Sequence, residues 1–164
     1  MYINMTKVAN IILYMLHKQT KALSNKKIEL MLFFMEYNHF NFCNSKIINE
    51  TFIKDKRGVK ALVLSELFEI ILNEEILEED DDRVYFIQEL MDFLDIEIVE
   101  KDNFKELRFA KLDEDFDEGI FSKDELRSIH KIVHLYKDNS VRNISNDCFS
   151  IDKVRICKNQ EIIL

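Results

Sequence analysis

Apolar positions set out most of the elements. Val8, Ile11, Ile12, Met15 and Leu16 recur at helical spacing, so about Asn4 to Gln19 reads as an amphipathic helix, capped by Asn4 or Thr6. Ser24 occupies an N-cap position ahead of Ile28, Met31, Leu32, Met35 and Phe42, with Leu30, Phe33 and Phe34 on other faces. A helix apolar on most sides is buried, which places this second helix at the centre of the core. Asn44 to Asp55 has no helical period, and Ile47, Ile48, Phe52 and Ile53 read as a short extended patch. Val59, Leu62, Val63, Leu67, Ile70 and Ile71 then predict a helix to about Asn73, and Val84, Ile87, Leu90, Met91 and Leu94 a fourth.

Residues 96 to 112 change period. Ile96, Ile98 and Val99, then Leu107, Phe109 and Leu112, alternate on either side of the polar link Glu100 to Glu106, which predicts a small β-hairpin. The strongest local signal follows: Ser122 and Glu125 form a capping box, with Phe121 placed to staple onto Leu126. Leu126, Ile129, Val133 and Tyr136 continue that helix. A last short helix starts near Ser140 with Val141, Ile144 and Phe149 inward, and Glu161 to Leu164 reads as a short strand. No internal repeat or linker divides the chain, so 1–164 reads as one domain. The expected fold class is mainly α with a minor β part, a compact bundle of about six helices with a small β-hairpin.

Composition supports this. The chain has 164 residues, no proline and two glycines, Gly58 and Gly119. So few breakers disfavour sandwiches and barrels, which are rich in tight turns. Net charge is −8, which argues against a broad phosphate-binding face and suits either a basic protein partner or plain solubility. Cys43, Cys148 and Cys157 fit no zinc motif and read as free thiols in a reducing compartment. With no signal-peptide pattern and no long apolar run, the expected location is cytoplasmic.

Chemistry-bearing patterns are few. His130 and His134 stand four apart, the spacing of two metal ligands, but without the Glu of a zinc-peptidase motif; they read as ordinary helix residues, as do His17 and His39. The acid run Glu74 to Asp82 lacks the ligand alternation and glycine of a calcium loop and reads first as a solvated linker, second as a docking site for a basic partner. No nucleophile elbow or glycine-rich phosphate loop is present. The expectation is a binding protein that is not an enzyme and carries neither cofactor nor metal. The second helix also holds a surplus of Met and aromatic residues, Met31, Phe33, Phe34, Met35, Tyr37, Phe40 and Phe42; core packing is the default for these, and an interface the sharper reading.

Val8-Ala9-Asn10-Ile11-Ile12-Leu13 and Leu23-Ser24-Asn25-Lys26-Lys27-Ile28-Glu29-Leu30-Met31-Leu32-Phe33-Phe34, with Glu50 and Gly58 at matching spacing, resemble the Panacea-domain family of SocA-like and phage-associated GepA-like proteins. Lys27 stands for the first family lysine and Phe33 for its tyrosine. The C-terminal Val133-His134-Leu135-Tyr136, Asn139-Ser140 and short final helix also fit. Leu30 replaces the second lysine, Asp55 stands at the tryptophan and Val59 at the proline, and the late Thr-His pair would fall near Asp147-Cys148, so the chain reads as a divergent member. The resemblance implies an antitoxin that binds and neutralises a cognate protein toxin of a bacterial or phage module, with a protease or its adaptor as a further partner. Its expected partner-binding residues lie on the central helix and the Asn44 to Gly58 segment: Lys27, Phe33, Phe34, Tyr37, Glu50, Lys54, Asp55, Arg57 and Gly58. Two alternatives stand beside it. One is a nucleic-acid-binding regulator associated with a mobile element, using Lys54, Lys56, Arg57 and Lys60; the other is a general protein-interaction adaptor.

Overall fold

The computed structural model describes residues 2–164. Helix α1 (Met5–His17) opens the fold, its first turn closed by Asn4 Oδ1 accepting the Lys7 amide at 3.0 Å. Helix α2 (Asn25–Cys43) starts at the Ser24 cap and ends at Asn44, whose left-handed φ of 54° turns the chain out while its amide donates to the Phe40 carbonyl. From Lys27 to Glu36 every α2 residue is buried, because helices and strands surround it.

The segment after α2 holds a hairpin that the apolar pattern predicts only as one extended patch. Strand β1 (Phe52–Asp55) pairs antiparallel with β2 (Gly58–Ala61), Phe52 opposite Ala61. Val59 therefore belongs to a strand rather than to the next helix. Val59 and Ala61 face inward with Lys60 between them, a period of two that a helix reading masks because Val59, Leu62 and Val63 also fit spacings of three and four. Helix α3 (Leu62–Leu72) follows directly.

Helix α4 (Asp82–Phe93) ends one residue before expected, and Leu94 begins strand β3 (Leu94–Lys101), paired with β4 (Phe104–Lys111). Most of the predicted polar link is strand, and the turn is only Asp102-Asn103. Helix α5 (Lys123–Tyr136) carries the expected capping box, with both Ser122 and Glu125 bonds formed. Helices α6 (Val141–Cys148) and α7 (Asp152–Ile156) close the fold; α7 has no periodic signal of its own at five residues. The tail lies antiparallel along β1, Ile162 bridging Ile53 and the Ile163 amide donating to the Phe52 carbonyl at 2.8 Å. The result is a mainly helical fold of seven helices with two small antiparallel hairpins among the described residues. None of these helices is long and apolar enough to cross a membrane.

Candidate binding surface

Six of the nine residues expected to meet a partner are buried: Lys27, Phe33, Phe34, Glu50, Lys54 and Gly58. Tyr37 and Asp55 are half-buried, and Arg57 alone is exposed. Their functional groups are engaged within the fold. Lys27 is 1% exposed, and its Nζ donates to the carbonyls of Lys21 at 2.7 Å and Lys137 at 3.0 Å. This places a cation at the C-terminus of α5, where the helix dipole favours one, although burial lowers the lysine's pKa. Phe33 stacks edge-on to Phe34 at 5.3 Å and Phe52 at 5.4 Å, and Phe34 meets Tyr136 at 5.0 Å.

Three buried glutamates fasten the segment after α2. Glu36 Oε1 accepts the amides of Ile47 and Ile48. Glu50 Oε1 accepts from Thr51 at 2.8 Å and Val63 at 3.1 Å, and its Oε2 from Leu64 at 2.9 Å. Helix α3 has no side-chain cap from its own N-cap, Ala61, so Glu50 supplies it from eleven residues before that position. Glu29 Oε1 accepts the Ala61 amide at 3.0 Å. Removal from water outweighs these bonds and pushes the Glu29 and Glu36 carboxyls up to about 7; Glu50 is raised by the same cause.

The basic stretch of the hairpin is also partly enclosed. Lys54 Nζ donates to the Val154 carbonyl and lies 4.8 Å from the Phe149 ring centre. Lys26 sits 4.0 Å from Asp55 and donates to the Val59 carbonyl. Gly58 adopts φ +121°, and a Cβ there would stand 3.0 Å from Cys148 Cβ. Burial pushes the Cys148 thiol up to about 12, which leaves it unreactive at neutral pH.

Two concave features stand out among the described residues. The larger, about 910 Å³, lies between α1, α5 and the 111–118 loop. His17, His130 and His134 line it, with Tyr14 stacked on His130 at 4.9 Å. Among the described residues no three His, Cys, Asp or Glu side chains converge to hold a metal.

The second is an open groove of about 450 Å³ between α3, α4 and the face of β3. Helix α3 contributes Ile70 and Ile71, β3 contributes Ile96 and Ile98, and the connecting loop adds Leu77. Helix α4 supplies Val84, Ile87, Gln88 and Met91, one stripe at i, i+3, i+4 and i+7. A second apolar row on α4, Phe86, Leu90 and Phe93, packs against the core, where half-buried Ile87 of the first row joins it, and Leu90 is the one residue of this helix that is fully buried. Met91 and Tyr85 stay 42% and 65% exposed, and Ile76 beside the groove is 99% exposed. Glu74 and Glu75 form its lip. Val84, Ile87 and Met91 are legible in the sequence as apolar positions of a fourth helix, with no sign of which face is covered; the two apolar rows on one twelve-residue helix are the signal that one of them is incompletely covered.

No protein-family model matches this chain, and no curated protein or solved structure matches it.

Proposed function

We propose that this chain is a non-catalytic binding protein of the antitoxin type, working in the cytoplasm by seating a cognate protein toxin of a bacterial or phage module. The observation that carries the reading is the uncovered apolar groove on α3, α4 and β3, since contiguous exposed apolar surface marks interaction sites. The Panacea-like sequence pattern supports the antitoxin assignment. Lys27, Glu50 and Gly58 then act as scaffold, holding α2, α5 and the first hairpin in place, while contact falls to surface residues.

Co-expression with the product of the adjacent reading frame tests the proposal. That product arrests growth alone, growth returns when the present chain is supplied, and the two co-purify. A harmless neighbour, or a toxic one that stays toxic beside this chain, removes the antitoxin reading. The same groove suits a general interaction adaptor, which predicts co-purification with a neighbour that has no toxicity to relieve.

A further inference from the structure

Charge is distributed very unevenly over the fold. Between Ala61 and Ile98 the sequence has 13 acidic residues and one basic residue, Arg83. That stretch carries −12, leaving the rest of the chain at +4 against a total of −8. It comprises α3, the following loop, α4 and the start of β3, the elements that build the groove. Arg83 is already engaged: it donates to Glu66 at 2.8 Å and to Asp81 at 2.7 Å, and the Arg83 bonds to Asp81 hold that carboxyl down at about 2. An apolar floor is thus framed by carboxylates with no free cation among the described residues of that stretch.

We infer that this groove docks a basic amphipathic helix of a partner protein, its apolar row on the Ile71, Ile87 and Met91 floor and its Lys or Arg residues on the acidic lip. Charge complementarity selects the occupant. Nucleic acid and anionic membranes are repelled by the same carboxylates, and so is the equivalent face of a second copy. Shape selects the helix. The floor lies between two helices and a sheet face, and an incoming helix presents apolar residues at i, i+3 or i+4, and i+7 to match the stripe on α4. The inference rests on the protein-binding reading only in taking the occupant to be a protein.

The test uses the full chain and a synthetic helical peptide of about five turns, with Leu along one face and Lys on the flanking positions. A second peptide carries Glu in place of each Lys. The Lys peptide is expected to shift backbone amide resonances of residues 70–98, saturably, and to weaken as salt rises. The chain bearing E74K and E75K, both exposed, is expected to lose about tenfold in affinity for it. Equal binding of the Glu peptide, resonance shifts centred elsewhere, or no binding of the Lys peptide at low salt would overturn the inference. Sedimentation of the chain alone addresses self-docking: a dimer dispersed by Ile87→Glu overturns it too, and a monomer supports it. A toxin bound as tightly by the E74K/E75K chain as by the wild-type chain sinks the groove while leaving the antitoxin reading intact. A groove that binds the Lys peptide beside a harmless neighbour does the reverse.

Discussion

Glu50 Oε2 accepts the Leu64 amide at 2.9 Å, and so a residue before the first hairpin closes the first turn of the helix after it. The same carboxylate takes the Val63 and Thr51 amides. Glu50→Ala leaves three backbone donors without their acceptor in a site where Glu50 is fully buried. The expected loss is roughly 3 kcal/mol of unfolding free energy, against about 1 kcal/mol for Glu50→Gln, which keeps one acceptor oxygen. Urea unfolding of both variants measures the difference, and equal losses would mean that the site needs only the side-chain volume.

The buried carboxyls give stability a pH dependence with a definite sign. Glu29 and Glu36 hold their protons up to about 7 in the fold, because burial disfavours their charged forms. In the unfolded chain they release them near the ordinary glutamate value of about 4.3. The folded state therefore binds more protons between those limits. The stabilisation is full below the unfolded value and is lost as pH rises toward 7, on the order of 3 kcal/mol for each group. Melting temperature should fall between pH 5 and pH 7.5, and Glu29→Gln should flatten that slope. A melting temperature that climbs over this range in the wild-type chain contradicts the assignment.

Gly58 and Cys148 constrain one another. Ala at position 58 meets two penalties, a φ of +121° and a Cβ 3.0 Å from Cys148 Cβ. The expected cost is about 2 kcal/mol. Cys148→Ala keeps the offending Cβ, so the double variant should be no more stable than Gly58→Ala itself. A rescue of more than about 1 kcal/mol in a double-mutant cycle would place the conflict at the sulfur instead.

The residues expected to touch a partner should divide by burial. Phe33, fully buried between Phe34 and Phe52, should cost about 3–5 kcal/mol on replacement by Ala, through loss of core packing. Arg57, exposed at the hairpin turn, should change stability by less than about 0.5 kcal/mol on replacement by Ala. Thermal or chemical unfolding of the two variants, run side by side, makes the comparison. A stable Phe33→Ala protein would contradict the role of α2 as the core helix.

Much of this architecture is written in local pattern. The Ser24 and Ser122 caps, the continuous burial of α2 and the alternation through β3 and β4 follow from spacing alone. The first hairpin is hidden because its two-residue turn, Lys56-Arg57, has none of the Asn-Gly or Asp-Gly chemistry that marks such turns. Its strands are held by Glu29 and the tail, contacts between residues far apart in sequence. The candidate surface was less legible. Phe33, Lys27 and Glu50 carry the strongest motif likeness, yet they serve the interior. Whether the α4 stripe is core or surface depends on how many neighbours the helix meets, which tertiary packing decides.

The central claim is that contact with a protein partner falls on the acidic apolar face, not on the α2 core or the segment that follows it. Amide hydrogen exchange on the complex with the adjacent reading frame's product measures this directly. New protection is expected to concentrate in residues 70–98, with the Asn44 to Gly58 segment unchanged. Protection confined to Asn44 to Gly58, or new exposure along α2 as though the core had opened to receive the partner, would contradict it.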